Sequence, residues 1–224
     1  MSSEHEAKRL QSRFRRRLRA GEKSLSAKCP ALGAWIAVAG KSDWEVAWQR
    51  SLYQALVMAI AHQQLHGNAA RAILQRFEAG FRGEDFPSPH QVGRASTDKL
   101  RAMGFSAAKV TAIQGIAAAA RKGDIPSRQQ AEQMSDDELV EHLVTLRGVG
   151  RWTVEMLLIF TLGRMDVMPV DDYGVRSGLR SLCELESLPG KRDFARLTDH
   201  WRPHRSLAAW YLWRLADANK PPPK

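Results

Sequence analysis

Apolar residues recur along this chain every three or four positions, the spacing of one face of an α-helix, and almost nowhere alternate as they would in a half-buried strand. Trp44, Val46, Ala47, Trp48, Leu52, Ala55, Leu56, Ala59 and Ile60 predict one long helix, and Ala69, Ala70, Ile73, Leu74 and Phe77 predict the next. Gly80 with Gly83, the Pro87-Ser88-Pro89 cluster, Gly104, Gly123 with Pro126, Gly148 with Gly150, Pro169 and Pro189-Gly190 punctuate the pattern, giving roughly eight to ten helices. Met165 to Val170 is the one extended candidate, and Pro169 and its short length make it a loop. The expected fold class is all-α.

One helical unit stands out. Ser135-Asp136-Asp137-Glu138 is a capping box that opens a helix running to about Leu146, and Arg151 to Leu162 resumes the period with Val154, Leu157, Leu158 and Leu162 on one face. Between them lies Gly148-Val149-Gly150, so the order is helix, hairpin, helix. A weaker echo runs from Thr97 to Ile113, where Gly104 alone supplies the glycine, and it reads as a related turn with a packing role.

Charge narrows the partners. The chain has 224 residues and a formal net charge of +10. Residues 1–28 hold nine Lys/Arg against Glu4, Glu6 and Glu22, a net +6, so the remainder is only mildly basic. A polyanion is the natural partner of such an N-terminal arm or helix, and a solubilising tail is the plainer alternative. Cys29 and Cys183 have no second Cys or His at ligand spacing, which argues against a structural zinc or an iron–sulfur cluster. No apolar run reaches spanning length and no secretory signal opens the chain, so no membrane is expected.

The hairpin glycines expose backbone N–H groups at the start of a helix, where the dipole favours an anion and no side chain obstructs a phosphate. Asp171-Asp172 follows one helix later, close enough in sequence to bring a carboxylate to a strand gripped there. A phosphate grip with an acid downstream suggests chemistry on DNA; the alternative is that both acids merely cap a helix.

Leu146-x-Gly148-x-Gly150-x-Trp152-Thr153, Pro169-x-Asp171-Asp172-Tyr173, Trp201-Arg202-Pro203-x-Arg205-Ser206 and the segment Ile60 to Ala70 together resemble the helix-hairpin-helix DNA glycosylases, in particular the 3-methyladenine DNA glycosylase II type. The resemblance implies two helical lobes with an active cleft between them, without the extra N-terminal β domain of longer relatives. Residues 45–165 would form the hairpin-bearing lobe, and 29–44 with 166–224 the second, preceded by the basic segment 1–28.

It also implies roles. N–H groups around Gly148, Gly150 and Thr153 would hold a phosphate, and a monovalent cation such as Na+ or K+ would sit on the carbonyls of Val144, Leu146 and Val149; no other cofactor is expected. Asp172 would be the catalytic carboxylate, stabilising an oxocarbenium-like sugar or activating water, with Asp171 a structural neighbour. Trp152, Trp213, Met156 and Arg214 would line the base pocket. Gln64, Leu65 and His66 would fill the stack or read the lesion, and Arg202 and Arg205 would contact phosphate or solvent. Lyase relatives carry lysine where this chain has Trp152, so the resemblance implies a monofunctional glycosylase that removes alkylated purines from double-stranded DNA and leaves an abasic site in base excision repair. It would act as a monomer in the cytoplasm at the nucleoid, or in a nucleus. The alternatives are a non-catalytic helix-hairpin-helix DNA-binding protein and a glycosylase with lyase activity.

Overall fold

A computed structural model describes residues 3–65, 67–83 and 86–219. In chain order the helices are α1 (Ser3–Lys28), α2 (Pro30–Ala39), α3 (Leu52–His62), α4 (Gly67–Ala79), α5 (Pro89–Arg94), α6 (Thr97–Ala102) and α7 (Ala107–Lys122). Then come α8 (Arg128–Gln133), α9 (Asp136–Leu143), α10 (Arg151–Phe160), α11 (Tyr173–Leu182), α12 (Lys191–Thr198), a 3-10 turn (Asp199–Trp201) and α13 (Arg205–Ala218). Among the described residues no strand forms, as the helical spacing requires.

Serine explains why there are more helices than glycine and proline punctuation reveals. Ser51, Ser88, Ser96, Ser106, Ser127 and Ser135 each cap a helix, the side chain accepting the backbone N–H three residues on. Such a cap is worth about 1 kcal/mol, enough to start the six-residue helices α5, α6 and α8. The cap at Ser51 also corrects the long helix expected from Trp44 to Ile60. Gln54 closes a capping box back to Ser51, so α3 begins at Leu52, and residues 43–50 form no helix.

The chain divides into two compact units, residues 50–162 and residues 1–49 with 163–224. In the first of these, α3 packs on α4, α7 and α10, burying Leu52, Leu56, Val57 and Ile60. Phe77 meets Phe86 and Phe105 edge-on at 5.6 and 5.5 Å. The Gly104 turn has φ +107°, and a Cβ there would press on Ile73 and Arg76, so it is a packing turn.

The other unit is built on α1, whose Phe14, Leu18 and Leu25 are buried. The basic N-terminal segment is therefore a helix with one face in a core. Phe14 meets Trp44 edge-on at 4.8 Å, and Gly163 turns at φ +65° against Trp48 and Val46. These contacts draw the residues around 44–48 and 163–165 into this unit, placing its borders at 49 and 163 in place of the expected 44 and 166. Buried Glu22 accepts from Tyr211 Oη at 2.8 Å, Ser42 N at 2.8 Å and Arg19 Nη1 at 2.6 Å, tying α1, the 40–43 turn and α13 together. α11 and α13 approach so closely that a Cβ on Gly178 would overlap the Leu212 carbonyl.

Candidate functional site

In the unit of residues 50–162, the hairpin joins α9 to α10. Gly148 has φ +82°, and a Cβ there would lie 2.7 Å from that of Ala112, so both backbone and packing demand glycine. Gly150 is different: it has an ordinary φ of −97°, and nothing lies within 4 Å of where its Cβ would be. No side chain caps α10 at Gly150. The exposed Arg147 adds a positive charge on the same turn. Thr153, by contrast, turns inward; its N–H donates to Gly150 O at 2.9 Å and its hydroxyl is buried. The Thr153 N–H expected near a phosphate thus closes the turn, and its side chain faces the interior.

What holds the turn is a residue to which the sequence assigned no role. Gln63 Nε2 donates to Gly148 O at 3.1 Å and to Thr153 Oγ1 at 3.0 Å. Lys109 Nζ in turn donates to the carbonyls of Ala61 and Gln63 at 2.9 and 2.8 Å, and burial depresses its pKa. The loop after α3 and the hairpin are thus one assembly. At its tip Gln64 takes a left-handed φ of +55° and is exposed, and Leu65 leaves 39% of its surface uncovered. His66 lies outside the described residues. Gln63→Glu keeps the length but cannot donate to Gly148 O; we expect DNA affinity to fall about tenfold, in keeping with about 1–2 kcal/mol for a lost bond with its partner left unmade. Fluorescence anisotropy on duplex DNA checks this, with the thermal midpoint as a control for folding.

A pocket of about 340 Å³ opens between α3 and α10. Trp152, Met156 and Phe160, half-buried at i, i+4 and i+8, form one wall, and Ala55, Met58, Ala59 and His62 form the other, with Arg50 also in the lining. Trp152 and Met156 therefore share a pocket as expected of a base site. His62 is held neutral: burial lowers its pKa below the usual 6.5, helped by Lys109, Arg71 and Arg50. Burial first, then Lys28, does the same to His204 in the other unit, against a smaller opposite pull from Asp166. With folded values below the unfolded one, acid protonates the unfolded chain first, so stability is lost as pH falls below about 6.5. A lower melting temperature at about pH 5.5 than at about pH 7.5 is the expected result, and His62→Gln should reduce the difference.

In the unit of residues 1–49 and 163–224, Asp172 is the N-cap of α11. Its Oδ1 accepts Val175 N–H at 2.9 Å and Trp213 Nε1–H at 2.8 Å. A Cβ on Gly174 would sit 2.8 Å from Trp213 Cδ1 and 3.2 Å from Asp172 Oδ1, so glycine lets the indole reach the acid. Trp213, expected as a pocket wall, is the orienting partner of the carboxylate. Arg214 pairs with Asp43 at 2.9 Å and lies 4.6 Å from the Trp210 ring centroid. Asp171 pairs with Lys191 at 2.8 Å.

The Trp201 to Ser206 block is also structural. Arg202 and Arg205 both bind Asp166 at 2.8 Å, Ser206 Oγ accepts Val167 N–H at 2.8 Å, and Trp201 is buried. This staples the 165–167 link ahead of Asp172 through both arginines, which were expected at phosphate or solvent. Among the described residues no cluster of His, Cys, Asp and Glu suits a metal ion, and no helix is long and apolar enough to cross a membrane. Both cysteines are free thiols.

Residues 57–203 match the model of the HhH-GPD superfamily base excision DNA repair protein. Over 172 residues, 75% of each chain, the sequence is 45% identical to DNA-3-methyladenine glycosylase 1 of Schizosaccharomyces pombe. A structure of the 3-methyladenine DNA glycosylase of that organism in complex with abasic DNA superposes with a TM-score of 0.82 at 38% identity, covering 87% of this chain and 95% of that one. DNA-3-methyladenine glycosidase from Bacillus halodurans gives 0.74 at 31% identity and 88% of each chain.

Proposed function

Because the chain belongs to the HhH-GPD superfamily of base excision DNA repair proteins, we propose that it is a monofunctional DNA glycosylase that hydrolyses the N-glycosidic bond of alkylated purines and leaves an abasic site. The observation that carries this reading is the Asp172 carboxylate, whose Oδ1 is fixed by Val175 N–H and Trp213 Nε1–H. An oriented anion stabilises the positive charge that develops on the sugar as the base departs. A purine alkylated at N3 or N7 is already cationic in the nucleoside and leaves readily, so for it a carboxylate and a water molecule suffice.

The other parts support the same chemistry. Trp152, with Met156 beside it in the pocket of α3 and α10, offers an aromatic face to an extruded cationic base. It stands where lyases of the family carry their Schiff-base lysine, so water is the nucleophile here. Gly148 and Gly150 present the hairpin to a phosphate, and Gln64 and Leu65 fill the vacated stack. The carbonyls of Val144, Leu146 and Val149 are neutral, hard donors that fit a monovalent cation better than a transition metal; such a cation would add positive charge under the phosphate. The enzyme works as a monomer wherever its DNA lies, at a bacterial nucleoid or in a nucleus.

Base release from duplexes carrying 3-methyladenine, 7-methylguanine or ethenoadenine, set beside unmodified duplex, tests the substrate class. Release of the cationic methylpurines ahead of neutral ethenoadenine is expected; equal rates on all three would reject the role given to Trp152 and to substrate charge.

A further inference from the structure

The family match begins at residue 57 and leaves α1 outside it, yet α1 carries most of the net charge. At about 100° and 1.5 Å per residue, Arg9, Arg13, Arg16 and Lys23 fall within about 40° of a common line that runs some 21 Å along the helix. Phe14, Leu18 and Leu25 lie on the opposite side and are buried. The four basic side chains belong to exposed residues, and among the described residues none has an ion-pair or hydrogen-bond partner. Four other basic residues of the helix do: Lys8 binds Glu4, Arg15 binds Glu45, Arg19 binds Glu22, and Lys28 binds the Arg202 carbonyl, while Arg17 lies 6.0 Å from the Phe14 ring centroid.

This sorting does not help α1 fold. Like charges at i,i+3 and i,i+4 destabilise a helix, and Arg9 with Arg13, Arg13 with Arg16, and Arg13 with Arg17 are such pairs. Arg13 adds to burial in lowering the pKa of Arg17. A solvated face would interleave acids, as the Glu4–Lys8 turn does. Salt screens part of this repulsion, and an anion that spans the whole row offsets it all along its length. Duplex DNA, with a phosphate every 3.4 Å of axis on each strand, offers several over that length and is already this family's substrate.

We propose that the outward face of α1 is a second DNA-binding surface, in which Arg9, Arg13, Arg16 and Lys23 bind backbone phosphates without reading sequence. It rests on DNA being the substrate, and it adds a grip that neither the hairpin nor the pocket supplies. The quadruple variant R9Q/R13Q/R16Q/K23Q of the full chain tests it on an undamaged duplex. The slope of log affinity against log salt should shrink by up to about 3.6, at about 0.9 for each phosphate no longer neutralised. The double variant K8Q/R15Q, which removes charges that already have partners, should change it by less than about 1, and the charge-preserving variant R9K/R13K/R16K should keep the original slope.

An unchanged slope in the quadruple variant would overturn the proposal, as would a loss in K8Q/R15Q about half as large as in the quadruple variant, the share of two charges in four, which would reduce the effect to net charge. So would an unchanged duplex slope accompanied by loss of binding to anionic phosphatidylserine vesicles, which would assign the row to a membrane. The slope is read on undamaged DNA, so it stands whether or not a base is released; base release by the unsubstituted chain tests the glycosylase reading separately.

Discussion

Asp172→Asn should lower single-turnover base release about 10²–10³-fold, the scale on which removing one preoriented electrostatic partner from a transition state is felt, or about 3–4 kcal/mol of barrier. The substitution isolates charge from structure. Asparagine caps a helix as well as aspartate does, and its side-chain oxygen retains bonds from Val175 N–H and Trp213 Nε1–H, the two that Oδ1 accepts at 2.9 and 2.8 Å. Folding and DNA affinity should therefore change little while the chemical step collapses. Trp213→Phe keeps the charge and removes one orienting bond, for an expected loss of about tenfold in rate. Unaltered base release by Asp172→Asn would leave the acid as a cap and nothing more.

The two hairpin glycines should separate in the opposite way. Gly148→Ala forces a side chain into φ +82° and sets its Cβ 2.7 Å from that of Ala112. A strained left-handed residue costs about 1–3 kcal/mol, and overpacking costs a similar amount. A fall of about 5–15 °C in melting temperature follows for a chain of this size, with DNA affinity lost as the hairpin deforms. Gly150→Ala meets nothing within 4 Å and should melt normally. The added methyl lies where a phosphate would approach the N-terminus of α10, so DNA binding alone should weaken, by about tenfold or more. Normal binding by Gly150→Ala would place the phosphate elsewhere.

The contrast between these glycines shows what the sequence can and cannot disclose. The hairpin, the Ser135–Glu138 capping box and the Asp172 cap are local in sequence, and each stood out from spacing alone. Trp44 and Val46 misled because their apolar character belongs to the packing of Phe14, thirty residues earlier, and not to the helix that follows. Long-range pairing also decided the arginines and tryptophans. Nothing near Arg214 in the sequence indicates Asp43, nothing near Arg205 indicates Asp166, and the indole of Trp213 finds Asp172 only because α11 and α13 touch at Gly178. Gln63 was visible beside Gln64, but polar neighbours in a loop look alike until one reaches back to Gly148 and Thr153.

Incubating the chain with dimethyl sulfate-treated duplex, in the presence and absence of borohydride, tests the central reading most directly. Free methylpurine should appear, the strands should stay intact until alkali is added, and no protein–DNA adduct should be trapped. Strand cleavage without alkali together with a borohydride-trapped adduct, or no free base at all, would contradict it.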